Sequence, residues 1–130
     1  LLTLNGLIAA LDGVIIPVQC EYLALEGLGQ LTHTLNRIRT NLFPQLNVRG
    51  VVLTMYDGRT NLSADVAQEV QKFFSDKVFN TVIPRSVRLA ETPSFGMPIN
   101  IYAPDSSGAK AYSALATELL NSDGVLIPNY

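Results

Sequence analysis

Three short apolar runs, 13–19, 48–55 and 78–83, alternate along this chain with segments whose apolar residues recur every three or four positions. No other feature narrows the fold as much. A short continuous run of apolar, mostly β-branched residues reads as a strand buried on both faces. The first run, Gly13-Val-Ile-Ile-Pro-Val-Gln19, contains Pro17, which suits a strand's end better than its middle. The second, Val48 to Met55, is followed by Asp57-Gly58, a turn signal. The third, Val78 to Ile83, is closed by Pro84.

The intervening segments have helical spacing. Leu28, Leu31, Leu35, Ile38 and Leu42 predict an amphipathic helix from about Ala24 to Asn41, ended by Pro44. Val66, Val70, Phe73 and Phe74 mark a second helix, with Thr60, Asn61 or Ser63 available as its cap and both phenylalanines at core spacing. Leu4, Leu7, Ile8 and Leu11 predict a short opening helix, and Ala111, Tyr112, Leu115 and Leu119 predict a last one over Gly108 to Leu120. The stretch from Arg85 to Pro104 is too rich in Pro and Gly for one element, and Ile99 to Tyr102 reads as a short strand within it. Residues 121–130 read as a tail, loose or lying on the surface.

Strands alternating with helices of this length imply right-handed crossovers and a parallel sheet. The expected fold is α/β: a partial doubly wound, mostly parallel sheet of three to four strands flanked by helices, formed by residues 1–120.

Apolar residues make up 48% of the 130 and charged residues only 15%, which is greasy for a small domain. A deeply buried sheet explains this, and so does a piece of a larger protein with part of its interface uncovered. No apolar run is long enough to span a membrane. Leu1 to Leu11 has no basic flank and no cleavage pattern, so it is not read as an export signal. The net charge of −2 argues against a strongly basic nucleic-acid binder, so any DNA contact must come from a few placed cations. One cysteine, Cys20, and one histidine, His33, exclude an internal disulfide and a protein-built zinc site. With no basic neighbour in sequence, Cys20 reads as a buried, unreactive thiol. His33 reads as a plain helix-face residue, and Glu26 as an acid favoured near a helix N-terminus.

Four segments together resemble the ParA/Soj partitioning ATPases. They are Ile16-Pro-Val-Gln-Cys-Glu-Tyr-Leu-Ala-Leu-Glu-Gly27, Gly50-Val-Val-Leu-Thr-Met-Tyr-Asp-Gly-Arg-Thr-Asn-Leu62, Ile83-Pro-Arg-Ser-Val-Arg-Leu89 and Pro93-Ser-Phe-Gly96. Their order and spacing match that family from about residue 1 to 120. The resemblance implies the C-terminal half of a P-loop NTPase fold. Leu1-Leu-Thr-Leu-Asn5 is similar to the stretch directly after the family's Walker B segment, and no Gly-Lys-Ser/Thr occurs anywhere in the sequence. The phosphate cradle of such an enzyme needs consecutive backbone N–H groups, a lysine and a Mg²⁺-binding hydroxyl. The chain is therefore read as a truncated piece with no catalytic residue of its own, inactive alone and with no nucleotide bound. It departs from the family at Ser86, where Asn is usual, and at Met97, where Lys is usual.

The resemblance implies roles for particular positions. Thr54 and Met55, with Ile83, Pro84 and Arg85, match loops that cradle the adenine of ATP, at the carboxyl ends of strands where open α/β sheets bind ligands. Arg59 and Arg88 match two arginines implicated in non-specific DNA binding. Gln19, Glu21 and Glu26 fall near the nucleotide and the dimer face. The intact protein would use ATP and Mg²⁺, form a homodimer, coat double-stranded DNA and be stimulated by a ParB-type partner. It would sit in the bacterial cytoplasm, associated with the nucleoid and not with a membrane. The alternatives are a non-catalytic DNA- or ParB-binding module and a MinD-like relative. The second needs a basic amphipathic membrane helix, and residues 121–130 contain no Lys or Arg.

Overall fold

The computed structural model describes residues 13–124. Strand β1 (Val14–Gln19) leads into helix α1 (Tyr22–Asn41), and α1 returns the chain to strand β2 (Val48–Thr54). The two strands pair in parallel, with Ile16 opposite Val51 and Val18 opposite Leu53. Helix α2 (Asn61–Phe74) comes next, closed by a 3-10 turn at Ser75–Lys77. Helices α3 (Val87–Phe95), α4 (Ile99–Tyr102) and α5 (Ser107–Ser122) complete the described chain.

The core occupies one face of the sheet. Ile16 and Val18 of β1 and Val51 and Leu53 of β2 pack with Leu28, Leu35 and Ile38 of α1 and Val66 and Val70 of α2. The period of two in each strand puts Ile15 and Pro17 on the opposite face, where both are exposed. The expectation that this run is buried on both faces is therefore corrected: among the described residues β1 is covered on one face only. Phe74 packs against the core, but Phe73 is 55% exposed, which corrects its reading as a core residue.

Local signals set the helix starts. The Thr60 hydroxyl accepts from the Ser63 N–H at 3.3 Å and caps α2. Thr60→Ala is expected to lower stability by about 1 kcal/mol. Urea denaturation checks this through a lower midpoint at unchanged slope.

The run 78–83 is not a continuous strand. Val78 and Pro84 each make a single parallel bridge, to Val51 and Tyr56, so among the described residues the regular sheet has two strands rather than three or four. Phe79 and Ile83 still donate to β2, but between them the chain makes a local excursion in which the amides of Asn80 and Thr81 bond to the Glu118 carboxylate.

Two helices replace the irregular stretch expected after Arg85. Pro93 signals a break, yet it sits inside α3. It has no N–H to offer the carbonyl of Leu89. The Thr92 hydroxyl supplies that missing donor at 2.8 Å, and Gly96, in the left-handed conformation, ends the helix. Ile99 to Tyr102 is a helical turn rather than a strand, because the Ile101 and Tyr102 amides fold back onto the Pro98 carbonyl. Helix α5 runs through Asn121 and Ser122, so those residues are not tail. The helix expected over residues 4–11 and residues 125–130 of the expected tail lie outside the described residues.

Candidate functional site

The carboxyl ends of the strands open onto a cleft of about 590 Å³. Its walls come from Pro17 of β1, Thr54 and Met55 at the end of β2, Ile83 to Val87 where the third run passes into α3, Leu89 and Ala90 of α3, and Tyr112 of α5. Loops at the carboxyl ends of parallel strands have no further pairing obligations, which leaves them available to a ligand.

The floor of this cleft is held firmly. Met55 has φ = 53°, the left-handed region that non-glycine residues rarely occupy. Such a conformation costs roughly 1–3 kcal/mol and persists where surrounding bonds over-determine it. Here the next residue is clamped on both sides. The Tyr56 N–H donates to the Ile83 carbonyl at 3.0 Å, and the Tyr56 carbonyl accepts from the Arg85 N–H at 3.0 Å. The strained peptide and the Ile83–Arg85 segment thus form one hydrogen-bonded unit.

At the mouth, Arg85 Nη2 meets Glu21 Oε1 at 2.5 Å. Glu21 stands at the N-cap of α1 but makes no side-chain cap bond there. Its carboxylate instead ties the start of α1 to the entrance of α3. Ser86 caps α3 by accepting from the Leu89 N–H at 3.5 Å.

All five residues expected at a base-binding wall, Thr54, Met55, Ile83, Pro84 and Arg85, line this one cleft. Arg59 and Arg88 do not. The Arg59 side chain is 88% exposed and forks onto Asp57, with Nε to Oδ1 at 2.9 Å and Nη2 to Oδ2 at 2.7 Å. The Arg59 guanidinium holds the Asp57 carboxyl well below the usual carboxylate range. Arg88 approaches Glu91 at 3.4 Å. Gln19 and Glu26 are exposed and do not line the cleft. His33 is exposed on α1.

Sequence reasoning missed Pro17, Ser86, Val87, Leu89, Ala90 and Tyr112 as cleft residues. Tyr112 was legible only as part of a helix's apolar side, and nothing in its spacing says that α5 reaches the strand ends.

Cys20 is buried, and burial pushes its thiol up to about 11. It is therefore protonated at neutral pH. Iodoacetamide at pH 8 is expected to leave the native chain unmodified and to alkylate it in urea, with mass spectrometry as the readout. Rapid native labelling would contradict the placement. Among the described residues no group of three His, Cys, Asp or Glu side chains is arranged to hold a metal ion. No helix among them is long and apolar enough to cross a membrane.

A parallel sheet with its cleft at the strand ends is shared by many nucleotide-binding folds, so the family must come from elsewhere. The family model described as the CobQ/CobB/MinD/ParA nucleotide binding domain matches residues 4–99. The chain belongs to this family. Within the CobQ/CobB/MinD/ParA family its relatives include the chromosome partitioning protein ParA of Myxococcus xanthus, 51% identical over 95% of this chain and 43% of that protein. The sporulation initiation inhibitor protein Soj of Bacillus subtilis is 56% identical over 92% of this chain and 47% of that protein. The chain thus spans about half the length of the curated relatives it matches, and its resemblance to ParA/Soj holds along nearly all of that span. Among solved structures, cobyrinic acid a,c-diamide synthase from Mycobacterium smegmatis superposes with a TM-score of 0.71 at 35% identity, over 99% of this chain and 46% of that one. The same synthase with bound ADP and magnesium gives 0.69.

Proposed function

We propose that the cleft receives the adenine base of ATP, and that the chain supplies the base-binding wall of a DNA-partitioning ATPase. The observation that carries this reading is the convergence of Thr54, Met55, Ile83, Pro84 and Arg85 on one cleft at the strand ends. Apolar Met55, Ile83 and Pro84 suit the faces of a flat ring. The Thr54 hydroxyl and the backbone around the strained Met55 suit its polar edge. That a synthase of the same fold was crystallised with ADP and magnesium supports a nucleotide as the kind of ligand.

The apolar lining of the cleft suits a base better than a charged triphosphate. The sequence has no Gly-Lys-Ser/Thr loop, and we assign neither the phosphates nor Mg²⁺ to residues of this chain. Binding by this chain alone is accordingly weak, in the millimolar range. In a protein of the relatives' length, ATP closes a homodimer, the dimer coats DNA without sequence preference, and a ParB-type partner stimulates hydrolysis. Photolabelling with 8-azido-ATP tests the assignment. Label in peptides containing 54–56 and 83–90 is expected, and label confined to other peptides overturns it.

Arg59 and Arg88 are the proposed DNA contacts. Both are exposed, and both can turn from a carboxylate to a phosphate, since exposed ion pairs hold arginine only weakly. In a protein of the relatives' length, Arg59→Ala or Arg88→Ala is expected to weaken DNA binding equally on every sequence and to flatten the salt slope by about 1. ATP binding stays intact. Unchanged DNA affinity in both variants would remove these residues from the proposal.

A further inference from the structure

Between Phe79 and Ile83 the third run falls out of step with β2. The Phe79 N–H donates to Val51 at 2.9 Å and the Ile83 N–H to Leu53 at 2.8 Å, so the chain advances four positions on one side and two on the other. The surplus residues cannot satisfy their amides in the sheet. Glu118 takes them. Its Oε1 accepts from the Asn80 N–H at 2.7 Å and its Oε2 from the Thr81 N–H at 2.9 Å. One ionised carboxylate thus serves two successive amides, a strong arrangement for charge-assisted bonds. Desolvation alone would raise the Glu118 carboxyl. The hydrogen bonds from Thr81 and Asn80 outweigh it and hold the group below its usual value.

Glu118 lies on α5, and α5 touches the cleft elsewhere. Tyr112, from the same helix, lines it. Near the start of α5, Gly108 lies so close to Leu89 of α3 that a Cβ there would be 2.6 Å from Leu89 Cγ. Directly beyond the excursion at 80–82, the chain enters Ile83, Pro84 and Arg85, which also line the cleft. A single side chain therefore joins the segment that carries one wall to the helix that carries another.

We propose that Glu118 is a positioning residue for the cleft: by holding the 80–82 excursion against α5, it sets the separation between the Ile83–Arg85 wall and Tyr112, and with it the fit to a base. The proposal rests on the reading of the cleft as a base site. Glu118 touches no ligand itself. It acts through the backbone of one wall and the helix of the other. A carboxylate that merely stabilised the fold would change the melting temperature and leave base affinity alone.

The test is a titration of the ¹⁵N-labelled chain followed by amide shifts, with adenosine as probe and ribose 5-phosphate as the base-free control. Wild type, Glu118→Gln and Glu118→Ala are compared at a temperature where all are folded. Wild type is expected to prefer adenosine. Glu118→Ala is expected to lose about fivefold of that preference, with faster hydrogen exchange at Asn80 and Thr81. Glu118→Gln keeps one acceptor oxygen and is expected to fall between them. It carries the test should the alanine variant fail to fold. Adenosine affinity unchanged in the folded variants, beside a wild type that prefers adenosine, overturns the role of Glu118 and leaves the base site standing. A wild type with no preference for adenosine removes both.

Discussion

Gly50→Val is expected to destabilise the chain by about 2–3 kcal/mol, among the largest losses any single substitution here would cause. Gly50 is buried in β2, on the sheet face opposite Val51 and Leu53. A Cβ at this position would lie 2.3 Å from Cε2 and 2.4 Å from Cζ of the Phe79 ring. The bond from the Phe79 N–H to the Val51 carbonyl at 2.9 Å keeps the Phe79 backbone beside β2, so room for a larger side chain must come from displacing the ring itself. Glycine is what lets the third run lie down on β2 at all. The companion change Phe79→Ala is also destabilising, since it strips apolar cover from the sheet. Combined, the two should be less damaging than their sum, with a coupling of about 1–2 kcal/mol, because the alanine makes room for the valine. Chemical denaturation of the two singles and the double measures the coupling. Strict additivity would mean that the ring and the glycine do not touch.

The second large effect concerns the cleft. Ala90 stands on the exposed side of α3 and lines the opening. Ala90→Trp would project an indole across the space between Met55, Pro84 and Tyr112. Binding of adenosine is expected to weaken at least about tenfold, a loss of about 1.4 kcal/mol. The melting temperature should hold, because Ala90 belongs to no part of the buried core. This separates it from core substitutions, in which binding and stability fall together. Ala90→Trp binding adenosine as wild type does would place the base elsewhere.

Much of this arrangement was legible in the residues because it rests on local and periodic signals. Continuous apolar runs gave β1 and β2, and leucine spacing gave α1. Thr60, Asn61 and Ser63 together announced the start of α2, and the structure selects Thr60 as the cap. Thr54, Met55 and Ile83–Arg85 were singled out by the resemblance to ParA/Soj, and their convergence on one cleft agrees with their place at the close of apolar runs, since parallel strands all end on the same side. What escaped depends on long-range partners. Glu118 looks like any helix glutamate, yet it takes the Asn80 and Thr81 amides where the run leaves the sheet. The Thr92 hydroxyl compensates Pro93 and keeps α3 whole, where a lone proline reads as a break. Ile15 and Pro17 lie on the face of β1 that no described residue covers, and no pattern distinguishes them from residues covered on both faces. Asp57 binds Arg59 from two positions away, so this arginine's ion pair was open to inspection from the start, unlike the Glu21–Arg85 pair, whose partners lie far apart in the chain.

The most direct test of the central claim is a set of proton–proton Overhauser contacts between adenosine, at millimolar concentration, and the chain. Contacts from the H2 and H8 protons of the ring to side-chain protons of Thr54, Met55, Ile83 and Tyr112 are predicted. Saturable adenosine binding whose contacts fall on any other part of the surface, with those four side chains silent, would contradict it.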